Sequence, residues 1–282
     1  MFLRLFILPM LVLSFTSADK DFKKGEYVSC EQSLLTMLDQ AAPGHEKAEV
    51  LWRLSRVSHQ QGEEAGDKET KRLFFGRGIE YAEQAMEEEP DNFQCYLWHS
   101  ANVGRDCQTR GLANQAKAAT KVQRDFSIIL DKLGRTDCSA AWRGLGEYFY
   151  QHPFKSKEQG INYARSSVVA IPDDEPGISN CLVLADMLYE RNWSEEKREK
   201  AARENGPRFR DGSLKNSERY AFYDGSDERM PWLEDDLDDY TDREEAQALV
   251  RYARARYEAC KDPSAIDRKE YKLLQTWINT HH

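Results

Sequence analysis

The sequence predicts an all-α protein of stacked helical hairpins, wound into a right-handed superhelix and closed by C-terminal capping helices. Three observations carry that prediction. Residues 78–92 read GIEYAEQAMEEEPDN and residues 160–174 read GINYARSSVVAIPDD, with six of fifteen aligned positions identical; self-similarity of this kind marks a repeat architecture. Few segments alternate apolar and polar residues with a period of two, so strands are not favoured. Only nine Pro and sixteen Gly occur in 282 residues, which leaves long stretches free of helix breakers. Although 32% of residues are charged and mean hydropathy is -0.77, six Trp and 11% aromatic residues are too many for a disordered chain.

The first element, residues 1–18, reads as a signal peptide. Arg4 supplies a positive start, Leu5–Phe15 are almost wholly apolar, and Thr16-Ser17-Ala18 offers small residues before Asp19. The apolar run is shorter than the roughly twenty residues that cross a bilayer. Export to a periplasmic or secreted location is therefore expected, with no stable membrane insertion after cleavage. Loss of Arg4 takes the net charge from -9 to -10. An acidic chain disfavours nucleic acid as a partner and disfavours anionic lipid. All six Cys follow residue 18, and none shows C-x-x-C spacing, so disulfides are open and a zinc or redox pair is not indicated. Cys95 and Cys181 sit in apolar runs and read as small core residues.

Residues 19–46 read as an N-terminal lead-in helix, and 47–204 as four hairpins: 47–61 with 72–88, 91–104 with 112–133, 138–150 with 158–170, and 177–190 with 194–204. In the repeated phrase Gly78, Ala82 and Ala85 share one helix face, as do Gly160, Ala164 and Ser167. These small residues let a neighbouring helix come close. Pro90 and Pro172 then stop each helix, and Asp91 and Asp173 are expected to cap the next one. The stretch Trp142–Phe149 (WRGLGEYF) fits W-x2-L-G-x2-[YF], the first-helix pattern of a tetratricopeptide repeat. Trp52 and Trp98 are expected in matching slots of two earlier units that lack Leu-Gly. First helices start roughly 38 to 48 residues apart, longer than that repeat's period, so the architecture is tetratricopeptide-like. Residues 205–240 read as an irregular linker or wrap. Residues 241–282 hold two C-terminal helices, the first opened by the capping box Thr241–Glu244 and the second running from Ser264 to Asn279.

Catalytic patterns are missing from the sequence. There is no G-x-S-x-G, H-E-x-x-H, P-loop or dinucleotide fingerprint, so neither an enzyme activity, a catalytic residue nor a cofactor is expected. His281 and His282 lie at the terminus, and Glu234–Asp239 (EDDLDD) lacks the spaced ligands of a calcium loop, so no metal site is expected. Glu87-Glu88-Glu89 at a helix C-terminus oppose the dipole and read as solvated charge.

One binding arrangement stands out. The residue after each repeat Trp is Arg53, His99 and Arg143, and stacking would line them along a concave groove. Glu147 and Tyr150 share the face of Trp142, and Gln60 that of Trp52. The expected occupant is a protein or peptide partner bearing carboxylates.

From about residue 48 to 170 the order of landmarks resembles the regulator of microtubule dynamics family and its bacterial relatives. The pieces are LWRLSR at Leu51–Arg56, GIEYAEQAMEEEPDN, and LWHSANVG at Leu97–Gly104. A Gly-started helix with Lys117 and Phe126 follows, then the Trp142 helix and GINYARSSVVAIPDD. These motifs are structural, so the resemblance implies a fold rather than an activity. A fainter resemblance, to the helical T component of periplasmic TRAP transporters, implies an alternative role: a transporter accessory that binds or passes a small hydrophobic ligand. That component's usual lipid-anchoring Cys is absent here. The leading expectation is an exported, non-enzymatic scaffold for protein–protein interaction.

Overall fold

The computed structural model describes residues 15–110 and 112–281, with the side chains of 112–117 left aside. Every regular element among the described residues is helical. None of these helices is long and apolar enough to cross a membrane. The expected signal segment lies mostly outside the described residues. Its end, from Phe15, belongs to helix α1 (residues 15–24), and the Ala18–Asp19 bond falls inside that helix. The chain divides into two units, one ending at Ile128 and one starting at Ile129.

In the first unit, α1 is followed by α2 (Tyr27–Leu38), α3 (His45–Glu64), α4 (Lys68–Glu88), α5 (Phe93–Arg110) and α6 (Leu112–Ser127). The single lead-in helix expected over 19–46 is thus two helices. Gly25 breaks them apart with φ of 84°, a backbone state that glycine adopts without steric cost. Ala18, Cys30 and Leu34 pack on Val50, Leu54 and Val57 of α3. Helices α3 and α4 form the first hairpin, as expected, with α5 lying on both. Asp67 caps α4 by accepting from the backbone N–H of Glu69 and Thr70.

The repeated phrase behaves as a packing joint. Gly78, Ala82 and Ala85 are the buried small residues of α4. A Cβ on Gly78 would lie 2.6 Å from the Asn102 side chain. Asn102 fills that space and donates to the Ser55 oxygens and the Trp98 carbonyl, while Ser55 Oγ donates to the Gly78 carbonyl at 2.7 Å. One small residue therefore locks α3, α4 and α5 together.

A π turn (Ile128–Lys132), in which the second unit starts, ends the preceding helix at Ser127, short of the expected 133. Then come α7 (Ser139–Gln151), α8 (Lys157–Val169), α9 (Ile178–Arg191), α10 (Glu195–Phe209), α11 (Asn216–Arg219), α12 (Asp242–Ala259) and α13 (Ala265–Thr280). Helices α7 and α8 pair closely. A Cβ on Gly146 would lie 2.9 Å from the Gly160 carbonyl, and one on Gly160 would lie 2.8 Å from the Tyr150 nitrogen. The Leu-Gly of the Trp142 motif is thus the point where two backbones touch.

Three expectations need correction. Helix α10 does not close a hairpin with α9; α9 instead packs on α12, α8 and α13. The reason is composition: of α10 only Arg198 and Gly206 are buried, whereas α12 presents Ala246, Leu249, Val250 and Ala253. Asp91 and Asp173 are not the caps. Asn92 accepts from the Gln94 N–H at the start of α5, and Gly177 precedes α9. The three Trp hold comparable places in the helix order but lie in different surroundings. Trp52 lies under Arg53 and Arg56, Trp98 beside His59, and Trp142 between Tyr163 and Tyr220.

The C-terminal helices do cover apolar surface. Leu274 and Trp277 of α13 are buried, and Trp277 donates its indole N–H to Asp186 of α9. Thr241–Glu244 forms the expected capping box, and Ser264–Asp267 forms another.

Gly160→Ala should destabilise the second unit by about 1–3 kcal/mol, the range for overpacking a filled site. Gly76→Ala, where a new Cβ meets nothing within 4 Å, should be neutral or stabilising by about 0.5–1 kcal/mol, since mid-helix glycine is unfavourable. Urea unfolding followed by circular dichroism measures both; equal midpoints for the two variants would contradict the backbone contact.

Candidate functional site

Four of the six residues expected to line a groove, Arg53, His99, Arg143 and Tyr150, are met by a neighbouring element. Arg53 donates to Glu49 at 2.6 Å and to Asp19 of α1 at 3.3 Å, and only 13% of its side chain is exposed. His99 is buried with Nδ1 2.5 Å from Asp125 of α6, which also accepts from Ser100. Arg143 reaches Asn180 of α9 and lies 3.9 Å from Glu147. Tyr150 donates its hydroxyl to the Met187 carbonyl, also on α9. The face of α7 carrying Arg143 and Tyr150 thus leans on α9. Gln60 is partly exposed on α3. Arg53 and His99 meet a partner's carboxylate only by giving up contacts they already have, whereas the Arg143 side chain is 32% exposed.

The second unit carries another candidate surface, in which two of the three lining rings, Trp142 and Tyr223, are fully buried. A recess of about 180 Å³ is lined by Trp142, Tyr220, Tyr223, Val169 and Ala170, with Asp137 and Glu228 among its polar groups. Its wall is a run of stacked rings. Trp142 and Tyr220 centroids lie 4.7 Å apart, and Tyr220 and Tyr223 lie 5.5 Å apart at 9°. Segment 205–240, expected to be irregular, builds half of this wall: Tyr220–Gly225 form a 3-10 turn packed on α8 and α10. That turn is anchored by Asn162, which donates to the Ala221 carbonyl and to Asp224, and by Tyr163, which donates to the Ser217 carbonyl. Asp137 carries Arg135 in a bidentate pair. Glu228 accepts from the Tyr223 hydroxyl at 2.6 Å. Burial, reinforced by that carboxylate, raises the Tyr223 pKa and keeps the phenol protonated.

Beneath the recess side of α8 lies a buried charge network that sequence reading missed. Arg165 holds Glu245 through two bonds of 3.0 and 2.9 Å, with both side chains at most 1% exposed. Arg198 bridges Glu245 and Asp242, and Arg191 forms a bidentate pair with Asp242. Four helices, α8, α9, α10 and α12, are joined this way. The void beside it is about 10 Å³, room for one water and for no substrate, so the network is structural. The legible signal was Arg165 itself, the one charge in GINYARSSVV, standing where the first phrase has Glu83.

Other reactive groups are quiet. All six cysteines are free. Cys95 and Cys181 are fully buried core residues, as expected, and burial pushes each thiol up to about 12. The described groups able to surround a metal are His45, Glu49 and Glu89.

Residues 15–150 match the family described as regulator of microtubule dynamics protein 1-3, a little under half of the chain. The resemblance read from the Trp52, Gly78 and Trp98 landmarks is therefore shown over that stretch. The second copy of the phrase, 160–174, lies beyond it. Compared with curated proteins, the chain has no match.

The charge network makes a pH prediction. Burial alone would raise the Glu245 carboxyl, but Arg165 and Arg198 overcome this and hold it at about 2, below its ordinary 4.5. A depressed folded pKa gives stability that is complete above the unfolded value and is lost as pH falls through the folded one. The second unit should therefore lose stability between about pH 4.5 and 2. Glu245→Gln should cost about 3–5 kcal/mol at neutral pH, the range for stranding a buried partner charge, and should flatten that acid dependence. Urea midpoints from pH 7 to 2.5 test this; a variant as acid-sensitive as the parent would exclude Glu245 as the source.

Proposed function

We propose that this chain is a non-enzymatic, exported protein-interaction scaffold, and that its second unit receives a basic side chain of a partner segment in the aromatic recess beside Trp142. The observation that carries this reading is the lining. It sets half-buried Tyr220, backed by the buried rings of Trp142 and Tyr223, beside the exposed carboxylate of Glu228, with no lysine or arginine in the lining. Such a surface takes the methylene stem of Lys or Arg along the Tyr220 ring and the charged head at Glu228. The net charge of -9 favours a basic partner over an acidic one through long-range attraction. The pairing already present around Arg53 and His99 supports the same change of partner chemistry. The family match over 15–150 supports a role in holding other proteins; it carries no substrate or reaction with it.

The test uses the full chain and fluorescent peptides that differ only at a central Lys, Arg or Glu. Anisotropy should show that Lys and Arg peptides bind and that the Glu peptide does not. Glu228→Lys and Tyr220→Ala should each weaken binding about tenfold or more, with Glu147→Lys on α7 leaving it within twofold. Equal binding of the Glu peptide, or no effect of Glu228→Lys, would overturn the reading.

A further inference from the structure

We propose that His45, Glu49 and Glu89 form a binding site for a divalent transition metal at the open end of the α3–α4 hairpin. Their ligand atoms, one imidazole nitrogen and two carboxylate oxygens, all lie within 4.8 Å of one another. A tetrahedral ion about 2.1 Å from each ligand sets the ligands roughly 3.4 Å apart, so small side-chain rotations close the set. His45 Nδ1 is already 2.9 Å from Glu89 Oε1. One imidazole with two carboxylates suits Zn²⁺, Co²⁺ or Mn²⁺ rather than a thiol-seeking ion.

Two further features position the carboxylates. The Asn92 amide places one nitrogen between the carboxylates, donating to Glu49 Oε1 at 2.9 Å and to Glu89 Oε2 at 2.8 Å. An ion reaching both carboxylates takes the place of that amide, so Asn92 turns away when the site is filled. Glu49 is also held from behind, by Trp52 Nε1 at 3.0 Å and Arg53 Nη1 at 2.6 Å, the outer-shell support that fixes a ligating carboxylate. The ends of the two antiparallel helices meet here. The C-terminus of α4 offsets the positive N-terminus of α3, and Glu88 accepts from the Gly44 N–H and from Lys47 beside it. His45 is 71% exposed and leaves an entry path. A bound ion would clamp the start of α3 to the end of α4, a role separate from the recess of the second unit.

The experiment is a Co²⁺ titration of the chelator-treated full chain at pH 7.5, read by visible absorption and by Trp fluorescence, with Zn²⁺ competing. Binding of one equivalent is expected, with d–d bands of a nitrogen and oxygen site and a fluorescence change from Trp52. His45→Ala and Glu89→Gln should weaken it at least tenfold while circular dichroism shows the fold retained. His152→Ala, at an imidazole of the second unit, should leave it unchanged. A near-ultraviolet thiolate band would assign the ion to cysteine instead, and unchanged affinity in His45→Ala would place it elsewhere; either result overturns the proposal.

Discussion

Close approach of helix backbones is the constraint on which the rest of this structure depends. Two helices touch at backbone level only where no Cβ intervenes, and the chain provides that at Gly146 and Gly160, whose added Cβ atoms would meet facing backbone at 2.9 and 2.8 Å. The first unit meets the same requirement differently. Gly78 leaves room for the Asn102 side chain, which carries hydrogen bonds from one helix to another. The same small residue thus gives a dry backbone contact in one place and a polar joint in the other. In each case the position of the next helix follows from it, because a packed interior does not deform continuously.

Where apolar surface runs short, charge takes over. Helix α10 has almost no apolar stripe; Arg198, which reaches both Asp242 and Glu245, helps fix it in the second unit beside the packing of Phe209 on Tyr220 and Tyr223. Those carboxylates lie in the first turn of α12, where the helix N-terminus also favours negative charge. Burying three guanidiniums is tolerable only because Arg165, Arg191 and Arg198 each have a carboxylate in reach. The network also holds α8 in place, and α8 anchors the turn that carries Tyr220 and Tyr223. The aromatic recess therefore rests on a closed ionic one.

The glutamates at the end of α4 show how tertiary placement reverses a local judgement. Along their own helix Glu88 and Glu89 oppose the dipole. The antiparallel pairing brings them to the N-terminus of α3, where Glu88 accepts from the Gly44 N–H and Glu89 pairs with His45. A charge unfavourable to one helix stabilises its neighbour.

The sequence by itself determined the helical class, the hairpins α3–α4 and α7–α8, the small-residue joints at Gly78 and Gly160, the capping box at Thr241 and the cysteine cores. All of these rest on spacing within one helix or on residue size, which are local properties. Only the tertiary structure decided that α9 packs on α12, that Arg53 and His99 are buried against acidic neighbours, and that Tyr220 and Tyr223 join Trp142. Those pairings connect residues dozens of positions apart, such as Arg165 with Glu245. A charged side chain looks the same in a sequence whether water or a buried counterion will meet it.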